Sequence, residues 1–176
     1  MENMHFTREE REEAIRWAED SSWVVREDYR EDPDYMDCVK DIIDSPVFQS
    51  MDDYMQHGDT TCKAHCIKVS YMGYCICRKR GWDYAEVASA GLLHDLFLYD
   101  WHTHAARTGD KFHGLTHPDV SYKNASRLYQ LNKVEKDIIL NHMWPVTFFR
   151  FPRTKEGWIT TITDKYCGAC ETSRRK

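Results

Sequence analysis

Apolar residues recur every three to four positions along most of the chain, which is the periodicity of amphipathic α-helices. One such stripe runs from Cys62 through Val69 to Ile76, and the basic turn before Gly81 predicts that its helix ends there. No stretch of any length alternates between apolar and polar residues as a half-buried β-strand would. The pattern therefore predicts an all-α fold.

Capping residues and prolines mark where the predicted helices begin and end. The candidate N-caps are Thr7, Ser45 before Pro46, Asp83 and Asn132. A glutamate three residues later completes a capping box after three of these N-caps, namely Thr7, Asp83 and Asn132. We expect the helix after Ser45 to include Met55 and to end at Gly58. The helix after Asp83 should end near Trp101.

The second half of the chain contains the longest predicted connection, a polar stretch over residues 101–116. His117-Pro118 is expected to open the next helix, because proline suits the first helical position, and this would place the histidine at the helix mouth. A last helix is expected to pack Ile162 and Tyr166 on one side. Asp164 would then face a cavity on the other side.

Length and charge limit the classes of function. The chain has 176 residues and a net charge of −5 with acidic and basic residues mixed, which disfavours a nucleic-acid polymer as partner. We expect an N-terminal helical extension over residues 1–56, packed on a helical domain over residues 57–176. No apolar run reaches the length of a membrane span, so we expect no membrane partner and a cytoplasmic location. The oligomeric state stays open between a monomer and a homodimer, and the odd number of seven cysteines does not suggest a disulfide framework.

The chemistry of the chain centres on residues 91–100, where His94 and Asp95 lie side by side in an apolar run. Burying a histidine and a carboxylate is costly unless a partner compensates for the lost hydration. A divalent metal ion would provide that compensation. Gly91 lies one turn before His94 and would let another helix or a ligand approach closely.

Further candidate ligands follow at intervals of about one helix and one connection. The predicted metal ligands are His65, His94, Asp95, His117, His142 and Asp164. In a helical bundle, each helix can turn one such ligand toward a common centre. Nitrogen and oxygen ligands without cysteine are typical of catalytic metal sites. His113 is the alternative to His117.

Six ligands are more than one ion needs, and they suit two ions that share Asp95. The first ion would be bound by His65, His94, Asp95 and Asp164. The second ion would be bound by Asp95, His117 and His142. The sequence therefore predicts one or two divalent transition ions, with Fe, Mn, Co and Ni as the candidates.

The set His65…His94-Asp95…Asp164 resembles the ligand set of the HD-domain metal-dependent phosphohydrolases. With His117 and His142 added, it is similar to the subset with a two-metal centre, over roughly residues 57–170. The resemblance implies an HD-domain-like helical bundle that hydrolyses a phosphate ester with metal-activated water. It also implies a small phosphorylated substrate such as a nucleotide. Many relatives carry Gly-Lys soon after the His-Asp pair, and its absence here disfavours the cyclic-dinucleotide-specific subgroup.

Polar residues around the predicted centre are candidates for catalysis and substrate binding. Asp95 would act as the bridging ligand, and His102 or His104 would protonate the leaving oxygen. The predicted substrate-binding residues are Arg107, Lys111, His113, Arg150 and Arg153, with Lys165 as a further cation within reach. His57 is an additional candidate at the edge of the site.

Two other classes of function fit the same residues. Mixed-valent di-iron oxygenases on the HD fold resemble this chain in their extended ligand set, because their chemistry also needs nitrogen and oxygen ligands with open coordination positions. A non-catalytic nucleotide-binding module is the other alternative. The number of cations near the predicted centre favours a phosphate substrate and hence the hydrolase.

Overall fold

The architecture comes from a computed structural model that describes residues 28–109 and 112–173. Within these ranges the α-helices are α1 Pro33–Ile43, α2 Pro46–Gln49, α3 Cys62–Arg80, α4 Tyr84–Leu93, α5 Trp101–Thr108, α6 His113–Leu128, α7 Lys133–Asn141 and α8 Lys155–Ser173. Two 3₁₀ helices span Tyr29–Glu31 and Ser50–Asp53, and one antiparallel hairpin joins β1 Met55–His57 to β2 Thr60–Thr61. The predicted all-α class is confirmed, with a helical bundle around α3, α4 and α8.

Helices α3 and α4 form the centre of the bundle because glycines let their backbones approach closely. A Cβ atom on Gly91 would lie 2.6 Å from Cα of Ser70, and one on Gly73 would lie 2.6 Å from Cγ1 of Val87. The prediction that Gly91 permits a close approach is therefore confirmed, and the neighbour is a helix. Ser70 also donates a hydrogen bond to the carbonyl of Ala88 at 2.6 Å. This contact brings His65 of α3 near the end of α4.

The first two helices cover one side of this pair. Asp32 caps α1 by accepting a hydrogen bond from the backbone of Tyr35, and Ser45 caps α2 as predicted. The hydroxyl of Tyr35 lies 2.8 Å from Oγ of Ser70, which ties α1 to α3. The boundary predicted between residues 56 and 57 falls inside β1. The capping box predicted at Thr7 lies outside the described residues.

The hairpin corrects the helix predicted to continue from Ser45. Helix α2 ends at Gln49, and Met55 lies in β1. Gly58 occupies the hairpin turn with φ of 57°, a backbone conformation that favours glycine, so it reverses the chain instead of ending a helix. The hairpin is too short to show an alternating pattern, which explains why no strand could be predicted from the sequence.

The segment from the start of α4 to α6 corrects four further expectations. Helix α4 ends at Leu93 instead of near Trp101, and Asp83 does not accept a capping hydrogen bond at its start. Residues 101–108 are helical because Asp100 caps α5, and Gly109 ends it with φ of 80°. Helix α6 begins before Pro118, which lies inside it, so His117 is not at a helix mouth.

Helix α8 buries its polar face, in contrast to the prediction. Ile162 and Tyr166 expose 58% and 56% of their surface, whereas Asp164 and Glu171 are buried. The start of the helix is held by Asp137 of α7, whose carboxylate accepts hydrogen bonds from the backbone of residues 153 and 154. Asn132 caps α7 with the predicted capping box. These contacts set the direction in which α8 presents its carboxylates.

Candidate metal centre

Four histidines and two aspartates that are distant in the sequence meet in the interior of the bundle. They are His65 of α3, His94 and Asp95 at the end of α4, His117 of α6, His142 at the end of α7 and Asp164 of α8. We call these six residues the His/Asp cluster. All are buried, and Asp164, the most accessible, exposes 6% of its surface. Three overlapping triplets within the cluster bring one potential ligand atom per residue within 4.8 Å of one another, so the cluster could hold a metal ion.

Each histidine of the cluster is held at Nδ1, so that Nε2 faces the other ligands. In His94, His117 and His142, Nδ1 donates to a backbone carbonyl three or four residues earlier, at 2.8–2.9 Å. In His65, Nδ1 lies 2.8 Å from Oε2 of Glu171. Because a carbonyl oxygen only accepts, the proton of a neutral ring is on Nδ1 and the lone pair is on Nε2. This orientation is the one that a metal-binding histidine needs.

Asp95 connects two halves of the cluster. Its Oδ2 lies 3.3 Å from Nε2 of His94 and 4.0 Å from Nε2 of His65. Its Oδ1 lies 3.1 Å from Nε2 of His117 and 3.5 Å from Nε2 of His142. The two oxygens of one carboxylate therefore face two different pairs of histidines, which is the arrangement of a bridging ligand.

Asp164 belongs to the half that contains His65 and His94. Its Oδ1 lies 3.1 Å from Nε2 of His65 and 3.9 Å from Nε2 of His94. We call this group, with Oδ2 of Asp95, the first half. The second half consists of Oδ1 of Asp95 with His117 and His142. These halves follow the division between two ions predicted from the sequence, and the triplet of His94, His142 and Asp164 links them.

The donor atoms fit a cation at the second half. Nε2 of His117 lies 2.9 Å from Nε2 of His142, although both rings already donate through Nδ1. Two neutral rings of this tautomer would bring two lone pairs together without a proton between them. In the first half, Nε2 of His94 is buried with no hydrogen-bond partner among the described residues. A metal ion bound by these lone pairs would relieve both conflicts.

The carboxylates of the cluster hold their negative charge. Burial alone would raise the pKa of Asp95, but the charge of the neighbouring His94 and the closeness of the other histidine rings keep it well below its usual value. Burial would likewise raise the pKa of Asp164, which the hydrogen bond from His65 lowers. Two ionised carboxylates surrounded by four imidazoles form a site with a strong preference for a positive charge.

The histidines differ in how readily they bind a proton. Burial lowers the pKa of His142 to about 4, so its ring is neutral at neutral pH. Burial would also lower the pKa of His65, but hydrogen bonds to Asp164 and Glu171 raise it to about 10. A metal ion at Nε2 of His65 would therefore displace a proton, which makes metal affinity dependent on pH.

Two residues that sequence reasoning missed hold the ligands in place. Glu171 contacts His65 and also accepts a hydrogen bond from Lys68 at 2.8 Å. Gln56 of β1 donates from Nε2 to Oδ2 of Asp95 at 2.5 Å. Glu171 lies seven residues after Asp164, the spacing of one helix face, which is a signal that could have identified it. Gln56 gave no such signal, because the hairpin that positions it was not predicted.

A cavity of about 980 Å³ opens onto the cluster. Asp95, His117 and Asp164 reach its wall, which is completed by residues from β1, α5, α6, α8 and the segment after α7. Of the other predicted site residues, His57, His102 and His113 line it. The volume is at the upper end of the range for small-molecule sites. The cavity gives a ligand access to a site that is otherwise enclosed.

The predicted site residues outside the cluster take different positions. Nδ1 of His102 lies 3.2 Å from Oδ1 of Asp100, and the ring of His104 stacks on Tyr99 with centroids 4.0 Å apart. The ring of His113 lies 4.6 Å from that of His117, but His113 is not part of the three triplets that could hold a metal ion. Among the described residues, His104 is not on the cavity wall.

The two predicted substrate-binding arginines that the structure describes are not at the cavity. Arg150 forms an ion pair with Asp119 at 2.8 Å, and neither it nor the exposed Arg153 is part of the described cavity wall. Lys111 and the side chain of Arg107 lie outside the described part of the structure. Lys165 does line the cavity, and it is the only lysine or arginine among the described lining residues.

Comparisons with known proteins were made for the whole chain. No protein-family model matches it, and searches of curated proteins and of solved structures found no significant match. Across the described helices, none has the length and apolar character that a membrane crossing requires.

Proposed function

We propose that the protein is a metal-dependent phosphohydrolase that cleaves a phosphate ester of a nucleotide or another small phosphorylated metabolite. The observation that carries this proposal is the convergence of four Nε2 atoms and two carboxylates beside an open cavity. The ordered ligand set is also what gives the chain its resemblance to the HD-domain phosphohydrolases. The cluster residues would bind one or two divalent transition ions, Fe, Mn, Co or Ni.

The chemistry of the proposed reaction is the addition of water to phosphorus. Bound ions would supply Lewis acidity toward a phosphoryl oxygen and lower the pKa of a water molecule. The P–O bond to the organic group breaks, a P–O bond to the water oxygen forms, and the products are an alcohol and inorganic phosphate. The leaving oxygen needs a proton to become the alcohol.

His102 is the residue we assign as the proton donor. It lines the cavity, and its backbone and Nδ1 both lie within 3.2 Å of Oδ1 of Asp100. The carboxylate holds the ring at Nδ1 and leaves Nε2 as the atom that would pass a proton to the leaving oxygen. His104, the other sequence candidate, is stacked on Tyr99 away from the described cavity wall.

The test begins with protein purified without chelators. Elemental analysis should find one to two transition ions per chain, and a panel of nucleotides and phosphomonoesters should reveal a substrate that is hydrolysed without dioxygen. In ¹⁸O-labelled water, the label should appear in the phosphate. Absence of bound metal, together with no activity after addition of Mn²⁺, Fe²⁺, Co²⁺ or Ni²⁺, would refute the proposal.

The same assay separates the hydrolase from an oxygenase that uses the same ligands. Turnover that stops under strict anaerobiosis, with oxygen consumption equal to product, would replace the proposed reaction and leave the metal centre intact. Binding of a nucleotide without turnover in either condition would instead favour a binding module. His102→Gln should lower kcat and leave metal content unchanged if the proton-donor assignment is correct.

A further inference from the structure

Lys165 follows the buried Asp164 directly on α8 and points a cation at the cavity. Its Nζ donates to Oδ2 of Asp164 at 2.7 Å and contacts Sδ of Met143 at 3.4 Å. Asp164 uses its other oxygen, Oδ1, toward His65. Lys165 therefore contacts the first half of the His/Asp cluster directly, through Asp164.

An ammonium group has three N–H donors, and the two contacts of Lys165 do not use all of them. The sulfur of Met143 is also only a weak acceptor. The lysine side chain remains 38% exposed, whereas that of Asp164 is 8% exposed. The geometry therefore leaves Lys165 with donor capacity on the side of the cavity.

We propose that Lys165 is the residue that binds the phosphoryl oxyanion of the substrate. The assignment rests on the proposed function, since it places the phosphate next to the metal ligands. It replaces the role expected of Arg150 and Arg153, which are not on the described cavity wall. A lysine ammonium is a compact charge on a flexible stem, so it can follow a phosphate.

The surface beside Lys165 leaves room for the organic part of an ester. Helix α8 continues along the cavity wall with Gly168, Ala169, Thr172 and Ser173, all of which have small side chains. Larger rings, His57 of β1 and Trp101 of α5, are also on the wall. A phosphate held at Lys165 would let its organic group extend along this wall, where the ring of His57 packs directly against Gly168.

The experiment measures binding of inorganic phosphate to the metal-loaded protein by calorimetry, so that it does not depend on turnover. Lys165→Met keeps the aliphatic stem and removes the charge, and we expect it to weaken phosphate binding by about 10- to 100-fold. Metal content should stay unchanged. Lys165→Arg should retain most of the affinity, because it keeps the charge.

Lys155→Met is the matched control on the same helix. Lys155 is 53% exposed and contacts Glu156 and the ring of Trp82 instead of the cavity, so its loss should leave phosphate binding unchanged. If Lys165→Met is poorly folded, Lys165→Gln and Lys165→Arg provide the same comparison of a neutral and a charged side chain. Acetate serves as a second probe, because a simple charge site without a preference for phosphate would bind both anions equally.

Three outcomes would overturn the assignment. They are phosphate affinity within twofold of the wild type in Lys165→Met, loss of metal in proportion to loss of phosphate, and equal binding of acetate. If the variant lost bound metal together with bound phosphate, Lys165 would act only by holding Asp164 in place. The proposed function fails separately: Lys165-dependent phosphate binding without hydrolysis of any ester would refute the reaction and leave this assignment standing.

Discussion

Glu171 distinguishes His65 from the other histidines of the cluster. The three others donate to backbone carbonyls, but His65 faces a carboxylate that is 4% exposed. Burial would raise the pKa of Glu171, and the hydrogen bonds from His65 and Lys68 lower it, so the group is negatively charged. A charged acceptor at Nδ1 makes Nε2 a more basic ligand. The first half of the cluster should therefore bind metal more tightly than the second.

The first prediction concerns this carboxylate. Glu171→Gln keeps the size of the side chain and removes its charge, so metal affinity should fall by about 10- to 100-fold with the helical content unchanged. The metal affinity is measured by titrating the metal-free protein, prepared with a chelator, with Co²⁺ and following its absorption spectrum. Glu156→Gln is the control, because Glu156 is equally buried on α8 but contacts the backbone of Asp83. Equal effects of the two substitutions would contradict a role of Glu171 in metal binding.

The second prediction concerns the bridging position. Asp95→Ala removes ligand atoms from both halves, whereas His142→Ala removes one ligand from the second half alone. We expect Asp95→Ala to lose essentially all bound metal and His142→Ala to retain part of it. Elemental analysis after gel filtration gives the comparison. Wild-type metal content in Asp95→Ala would show that the ions, if present, bind elsewhere.

At the scale of the elements, helices that combine an apolar stripe with clear end signals could be predicted from the sequence. The end of α3 at Gly81 and the capping box of α7 are the best examples. Helix α8 could not be oriented in the same way, because the prediction assumed that the apolar face is buried. In the structure the buried face carries threonines, Asp164 and Glu171, since Asp164 and Glu171 both contact the buried ring of His65.

Residues of the site could be predicted from the sequence where they belong to helices, and could not be predicted elsewhere. The six candidate ligands each lie on a helix or just after one. Their spacing of about one helix and one connection indicated that they could converge, but it did not reveal that His117 lies inside α6. The contribution of Gln56 depends on a hairpin whose strands have only three and two residues. The placement of cations such as Arg150 depends on long, flexible side chains and on partners such as Asp119, which no periodicity reveals.

The third prediction concerns the contact between α3 and α4. Gly91→Ala would place a methyl group 2.6 Å from Cα of Ser70, and backbone atoms cannot move aside as a flexible side chain could. We expect the free energy of unfolding to fall by about 3 kcal/mol. The free energy of unfolding is measured by urea denaturation of the metal-free protein.

Gly114→Ala is the matched control for this helix contact. The added methyl would meet nothing closer than Cε of Met143 at 3.6 Å, an ordinary van der Waals distance. Since alanine has the higher helix propensity, this variant should be as stable as the wild type or more stable by up to about 1 kcal/mol. A Gly91→Ala protein as stable as the control would mean that the two helices are not in the close contact described.

At the scale of the whole molecule, the His/Asp cluster joins helices that are otherwise separate in the sequence. Its ligands come from α3, α6 and α8 and from the ends of α4 and α7. A metal ion that binds only the folded chain stabilises it by about 2.7 kcal/mol at a free concentration of 100 times Kd. For a chain of 176 residues this corresponds to a rise in Tm on the order of 5–10 °C.

The last prediction follows from this linkage. Chelation should lower the Tm, and Mn²⁺, Fe²⁺, Co²⁺ or Ni²⁺ should restore it, as measured by differential scanning calorimetry. Ca²⁺ should have little effect because it prefers six to eight oxygen ligands, whereas four of the six ligands here are imidazole nitrogens. The Asp95→Ala variant should lose most of the response. A Tm that rises equally with Ca²⁺, or equally in the variant, would indicate surface binding and would contradict a metal centre that connects these five helices.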